Sequence, residues 1–338
     1  MLRNVVGKIL LILFSLLLVA LLLEVALRVV YYRSLDFSME MWKYAVQLKL
    51  PVDNPNLRFG QKPNSHAFLM GYDVNINSLG LRDNEYSLEK PPGVYRILVL
   101  GDSTTFGWGV ALNDTASKIL ERELNALHLP GYQRFEVINA GVGNYDTVQE
   151  VTYYKTRGRE LHPDLVVLAY FINDPEPVPV QKNIPLIDRS YLVAYLTNRF
   201  DGVLRRLGTR PDWKAYYAGL YDESLPGFQA CKAALLDLAA TTRSENAKLL
   251  MALIPELHQI NDDYPFTAAH QKIKDILATQ QVPVLDLIDG LRGHGPEVTL
   301  WVTPLDDHPN GKANALIAAQ LRDAIMADLA VTNNGGGQ

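Results

Sequence analysis

The sequence predicts a three-layer α/β/α sandwich built on a five-stranded parallel sheet. Two observations carry that expectation. From Tyr95 onward, apolar runs of strand length alternate with longer segments of helical spacing. The first three runs also end in turn-forming clusters of Gly, Asn, Asp or Ser, which punctuate one element from the next. Strands that alternate with helices pair in parallel and are covered on both faces.

In chain order, Arg96–Leu100 reads as the first strand, and Asn113–Leu127 as a helix with Asp114 as its cap. Phe135–Asn139 is the second strand, Thr147–Gly158 a helix, and Leu165–Phe171 a third and very apolar strand. Phe228–Thr242 and Ala268–Thr279 have helical spacing, Lys248–Ile254 and Val282–Leu285 read as strands, and Lys312–Leu329 closes the fold. In such sheets sites lie at the carboxyl ends of strands. Ser103, the loop Gly141–Asn144 and Asn173 all follow strand ends.

The expected organisation is a membrane anchor over 1–33, a connector over 34–94 packed on the main domain, the main domain over 95–330 and a disordered tail over 331–338. Within the connector, Asp53–Asn56 and Lys62–Ser65 are turn clusters, and Tyr72–Asn77 alternates like an edge strand. Residues 175–227 interrupt the α/β alternation. Their Pro-rich start suits neither a helix interior nor a central strand. Tyr191, Tyr195, Trp213, Tyr216, Tyr217 and Tyr221 make this insertion aromatic. It is either a cap over a site, stacking on sugar rings, or an insertion packing its own aromatics. The final Asn-Asn-Gly-Gly-Gly-Gln suits a disordered tail.

Ile9–Leu23 carries no charge and one polar residue, Ser15, and the apolar character runs on to Tyr32 past Glu24 and Arg28. Glu24 and Arg28 are spaced to pair at i,i+4, and Lys8 and Arg33 flank the segment, which brings it to the roughly 20 residues a span needs. A cleaved signal peptide would use Arg3 and Lys8 as its basic start, but neither an A-x-A site nor a lipobox cysteine follows. An uncleaved anchor is the expectation, with the lipid bilayer as partner through residues 9–32. Basic residues on both flanks leave orientation open. A single N-terminal anchor before a large domain favours export of that domain.

With 338 residues and a formal net charge of -5, the chain holds one large or two small domains, and its scattered Lys and Arg form no nucleic-acid-binding stripe. Cys231 is the only cysteine, so no intramolecular disulfide forms. The seven histidines show no metal-binding spacing. Neither a metal nor another cofactor is expected.

The chemistry-bearing residues start with Ile97–Gly101, an apolar strand that ends abruptly in Gly101-Asp102-Ser103. This delivers a serine to an exposed turn. A serine nucleophile needs a base to take its proton and an acid to orient the base. Asp306-Asp307-His308-Pro309-Asn310 supplies both types before the last helix. The Asn139–Asn144 loop offers backbone N–H groups to a developing oxyanion, and Asn173 offers a side-chain amide. Glu256 and His258 follow the fourth strand of the sheet.

This set resembles the SGNH hydrolases, also called the GDSL esterase/lipase superfamily, over about residues 95–328. Gly101-Asp102-Ser103 matches the first block, 139–147 the second, Asn173-Asp174 the third, and Asp306–Asn310 the fifth. The resemblance implies a flavodoxin-like sheet with Ser103 as nucleophile, His308 as base and Asp306 as the acid. It also implies an oxyanion hole from the Ser103 N–H, a second-block N–H and Asn173. The anchor ending Leu23–Arg28, the stretch Asn77–Asp83, and Thr105–Val110 resemble a bacterial membrane-anchored subgroup associated with envelope and exopolysaccharide modification. That resemblance implies an inner-membrane protein with its domain outside the cytoplasm.

Three positions depart from the pattern. Asn144 stands where the second block has glycine, so the donor is Asn144 or Gly143. Phe171 replaces a glycine before Asn173, and Leu305 occupies the usual acid position. Asp306 gives Asp-x-His instead, and Asp307 diverges if the segment is extended. The expected function is a membrane-anchored serine esterase releasing acyl groups, O-acetyl by this resemblance, from a carbohydrate of the envelope. An O-acyltransferase with the same triad and a silent carbohydrate-binding module are the alternatives. A nucleotide binder lacks a phosphate loop and leaves Asp306 and His308 idle.

Overall fold

The computed structural model describes residues 2–177, 189–206, 212–261 and 263–335. The chain opens with a long helix, α1 (Leu2–Val30), followed by α2 (Phe37–Gln47). Two antiparallel pairs come next, β1 (Lys49–Pro51) with β2 (Phe59–Gln61), and β3 (Ser65–Leu69) with β4 (Tyr72–Ile76). The central sheet contains β5 (Val94–Gly101), β6 (Arg134–Gly141), β7 (Leu165–Tyr170), β8 (Lys248–Leu253) and β9 (Val284–Asp286). Its connections carry α3 (Ser103–Phe106), α4 (Ala116–Ala126), α5 (Thr147–Thr156), α6 (Tyr191–Arg206), α7 (Trp213–Gly219), α8 (Pro226–Ser244) and α9 (Thr267–Ala278). A hairpin of β10 (Trp301–Thr303) and β11 (Asp306–Pro309) leads into α10 (Gly311–Gly335).

The sheet order is β6-β5-β7-β8-β9, and every pair in it is parallel. Every residue of β5 and β7 is buried, as their apolar runs require when helices cover both faces. Arg96 is the exception to that apolar rule. It sits fully buried in β5 and pairs at 2.7 Å with Glu136 of the neighbouring β6. Helices α4 and α10 pack together, as do α5 and α8, with α9 beside α8. After β5 the chain adds β6 on one side and β7 on the other. This reversal opens a crevice beyond the carboxyl end of β5, which is where Ser103 lies.

The segment before the sheet builds two small cores of its own. Tyr44, Leu48, Leu69, Val74 and Ile76 enclose Phe106 and Trp108, and Leu57 and Phe59 pack on Val142 and Tyr145. The connector therefore props up both loops at the site end of the sheet.

Several expectations are corrected. The first long helix starts at Ala116, and its cap is Thr115, whose hydroxyl accepts from Lys118 N at 3.3 Å. Asp114 lies instead in a 3-10 turn over Leu112–Asp114, because Thr115 has the extended backbone an N-cap requires. The tail expected to be disordered from Val331 continues α10 to Gly335, since nothing before the glycine run breaks a helix. Residues 336–338 lie outside the described residues. In the insertion, Tyr195 packs on Tyr31, Tyr191 on Trp42, and Trp213 on His258 and Phe266. These rings are occupied by the protein itself. The rest of that expectation, at 178–188 and 207–211, lies outside the described residues.

The tightest approach between loops is at Gly141, where an added Cβ would stand 2.2 Å from the Phe106 nitrogen in α3. Gly141→Ala should push α3 outward and cost about 1–3 kcal/mol. A urea midpoint that stays at the wild-type value would contradict this packing.

Candidate active site

The nucleophile turn is held by hydrogen bonds from both ends. Asp102 caps α3, its Oδ1 accepting from Thr104 N and Thr104 Oγ1, each at 2.8 Å. Gly107 ends the helix after one turn in the left-handed region, φ 82, which favours glycine. Arg82, buried in the connector, donates to the Phe106 carbonyl at 3.0 Å and the Val110 carbonyl at 2.6 Å. Asn139 Nδ2 donates to the Thr105 carbonyl at 2.7 Å, while its Oδ1 accepts from Gly141 N at 2.9 Å. Asp83 accepts from Asn139 N at 2.7 Å and pairs with the buried Lys118 at 2.8 Å. Ser103, the first residue of α3, is thereby fixed with its hydroxyl outward.

Its Oγ lies 2.9 Å from His308 Nε2, across a separation of 205 residues. His308 Nδ1 lies 2.6 Å from Asp306 Oδ1. The other oxygen, Asp306 Oδ2, accepts from Trp108 Nε1 at 3.1 Å. With a proton on Nδ1 held by Asp306, Nε2 presents a lone pair to the serine hydroxyl. The Asp-x-His spacing has a simple cause. Both residues lie in β11, and the two-residue period of a strand places them on one face. Asp307 faces the other way, 3.4 Å from His258 Nδ1. Leu305, in the usual acid position of the resemblance, is at the hairpin turn and 96% exposed.

Burial pushes Asp306 up, but the His308 hydrogen bond and charge outweigh it and hold the carboxylate below its ordinary range. For His308 burial works downward. The Asp306 hydrogen bond and charge, joined by Asp307 and Asp102, outweigh that burial and raise it above the usual imidazole range. The imidazolium that would form on proton transfer is therefore favoured.

The residues proposed from sequence to hold an oxyanion converge on the same end of the sheet. The Ser103 and Asn144 backbone N–H groups have no intramolecular acceptor among the described residues. Gly143 differs, because its N–H donates to the Tyr44 hydroxyl at 3.1 Å. Of the two second-block positions, Asn144 is the one left free. Asn144 has φ 68, the left-handed conformation a glycine would otherwise supply. Lys49 donates to its side chain at 2.9 Å and lies over the Tyr44 and Phe59 rings, 4.8 and 4.1 Å away. Asn173 Oδ1 is buried without a partner, whereas its Nδ2 is not buried.

Several neighbours escaped sequence reasoning. Tyr44, Lys49 and Phe37 lie in the connector, and the Phe37 ring lies tilted 5.6 Å from the His308 ring. Nothing in their local pattern points at a serine more than 50 residues away. Trp108 is more legible, since it follows the nucleophile within the Gly-Trp-Gly stretch. Glu256, His258 and Asp307 form a second acid–imidazole group beside the first. Burial, then its hydrogen bond with Asp307, pushes Glu256 up to about 7. Among the described residues, this group and Asp306, Asp307 and His308 are the two sets whose donor atoms are close enough to hold a metal ion. In each set the side chains already engage one another.

Residues 99–316 match the GDSL-like Lipase/Acylhydrolase family. The chain belongs to that family. It is an ester-hydrolysing enzyme of the SGNH fold. A comparison with curated proteins finds no match. Among solved structures, the chain is similar to TesA at 17% identity, covering 67% of this chain and 95% of that one, with a TM-score of 0.43. It is also similar to the psychrotrophic esterase EstA from Pseudoalteromonas sp., at 17% identity over 70% and 98% of the two chains and a TM-score of 0.42. A catalytic mutant of Axe2, an acetylxylan esterase from Geobacillus stearothermophilus, is 14% identical over 67% and 92%, with a TM-score of 0.45.

If His308 acts as the base it must be neutral, so kcat/KM should rise with pH through a midpoint above the ~6.5 of a free imidazole. Asp306→Asn should lower that midpoint and reduce kcat by ~10⁴-fold. A pH–rate profile whose midpoint is the same in both proteins would remove Asp306 from this role.

Proposed function

We propose that the enzyme hydrolyses acyl esters through a Ser103–His308–Asp306 triad. The observation that carries the reading is the unbroken line of hydrogen bonds from Asp306 through His308 to Ser103 Oγ. In the first half-reaction, Ser103 Oγ attacks the ester carbonyl carbon while His308 Nε2 takes its proton. The carbonyl oxygen becomes an oxyanion, held by the Ser103 N–H, the Asn144 N–H and the Asn173 amide. Collapse expels the alcohol, protonated by His308, and leaves an acyl-serine. Water, deprotonated by His308, then releases the acid and restores the hydroxyl.

α1 is proposed as a membrane anchor. Among the described residues, Asn4–Val30 is the one stretch long and apolar enough to cross a membrane, with a mean hydropathy of 3.0 and its apolar window entirely unburied. The substrate class proposed is an acyl ester of the bacterial envelope, O-acetyl on a polysaccharide by the resemblance to the anchored subgroup. The domain would then lie on the extracytoplasmic side of the inner membrane.

Purified full-length enzyme in detergent should hydrolyse p-nitrophenyl acetate and become labelled by a fluorophosphonate. Both signals should vanish in Ser103→Ala. Asn173→Ala should retain labelling but lose about 10²–10³-fold in kcat, the usual effect of deleting one oxyanion donor. Wild-type turnover that survives Ser103→Ala would refute the triad.

A further inference from the structure

The anchor helix is not tethered loosely to the domain. Glu24, in its C-terminal part, accepts hydrogen bonds from Ser190 Oγ at 2.7 Å, Tyr191 N at 3.1 Å and Leu192 N at 2.9 Å. These donors are at the N-terminus of α6, so a carboxylate of the apolar helix caps a helix of the insertion. Arg28 lies 4.9 Å over the Tyr191 ring and pairs with Glu24 at 2.8 Å. At the end of α1, the Tyr31 and Tyr32 carbonyls accept from the buried Lys43 of α2 at 3.4 and 3.5 Å. Lys43 pairs with Glu40 at 2.8 Å, and Glu40 accepts from Met70 N at 2.9 Å. Two independent docks thus fix the direction of α1 against α2, α6 and the β3–β4 hairpin.

That direction brings the span to the catalytic histidine. Phe37, the first residue of α2, lies tilted against the His308 ring and meets Trp108 at 6.0 Å. Six residues separate Val30 from Phe37, so the two lie at most about 25 Å apart if fully extended. Most of the exposed side chains along this stretch are apolar: Val29, Val30, Tyr32, Leu35 and Phe37 are exposed large hydrophobics, with Arg33 exposed among them. Leu305, beside Asp306, is another exposed hydrophobic. A strip of exposed apolar side chains with a basic residue among them, leaving an apolar helix long enough to span a membrane and ending beside His308, matches an interfacial surface better than a water-facing one.

We propose that the site is held against the bilayer and takes its ester from there. The substrate would be an amphiphile whose apolar part stays among the lipids while its acyl ester reaches Ser103 past Phe37. This rests on the serine-esterase reading and adds the physical form of the substrate. An envelope glycan would meet it as a lipid-borne intermediate rather than as free polymer.

The test uses the full chain in phosphatidylethanolamine–phosphatidylglycerol vesicles. Cys231 is the only cysteine and is buried, so Leu305→Cys offers one accessible thiol for a nitroxide. The nitroxide should be relaxed more by oxygen than by a water-soluble nickel chelate, as at headgroup depth. In parallel, hydrolysis of p-nitrophenyl palmitate dissolved in the vesicles is compared with that of p-nitrophenyl acetate in water. Leu35→Glu should slow the first about tenfold and leave the second within about twofold, because only the first needs the apolar strip. A nitroxide relaxed mainly by the nickel chelate overturns the proposal, and so does equal loss on both esters. Wild-type enzyme that cleaves acetate with Ser103 labelled but shows no gain on the vesicle-borne ester also overturns it, leaving the serine-esterase reading intact. No turnover of either ester and no labelling would refute that reading, and the substrate proposal with it.

Discussion

One hydrogen bond, from Ser103 to His308, sets the requirement that the rest of the molecule meets. Its two ends are 205 residues apart, and neither side chain carries information about the other. The sheet brings them together by ending β5 at the crevice where the strand order reverses, and the β10–β11 hairpin supplies the histidine from above that crevice. Side chains then refine what topology delivers. Trp108 is the notable one, because it leaves the nucleophile loop and donates to the acid of the opposite hairpin. It joins the two halves a second time, in parallel with the Ser103–His308 contact.

The rigidity of the nucleophile turn comes mostly from outside the sheet. Arg82, Asp83 and Asn139 satisfy carbonyl and amide groups that a one-turn helix and its loop leave open. Buried polar groups of this kind are costly unless every partner is present. Behind them lies a less satisfied region. Both Glu150 carboxyl oxygens and Asp174 Oδ1 are buried without a hydrogen-bond partner. Burial first, and then the charge of neighbouring carboxylates, raises both carboxyls well above their ordinary range.

The strands were readable from sequence because each is a run of apolar residues that must be covered on both faces, and the structure places β5 to β9 close to where those runs lie. Boundaries moved where a local cap outweighed spacing, as Thr115 did over Asp114. Ser103, Asp306 and His308 stood out in the sequence because serine chemistry demands those residue types, and the structure brings their side chains into hydrogen-bond contact. The choice of Asp306 over Asp307 followed from the period of an extended chain, and β11 is extended. The choice between Asn144 and Gly143 was not readable. It turns on a hydroxyl from Tyr44, 99 residues earlier, that occupies one of two adjacent N–H groups. Lys49 and Phe37 were invisible for the same reason: their meaning is tertiary.

Glu24 has a consequence for the order of assembly. Its hydrogen-bond donors begin 166 residues later in the chain, at Ser190. Until that stretch has been synthesised, the carboxylate has only Arg28 for company, and the helix that bears it cannot be seated on the domain. The helix is thus made well before the residues that seat it. The same dependence makes α1 non-interchangeable: an apolar helix of equal length without this glutamate would leave the start of α6 uncapped and α1 held only through Lys43.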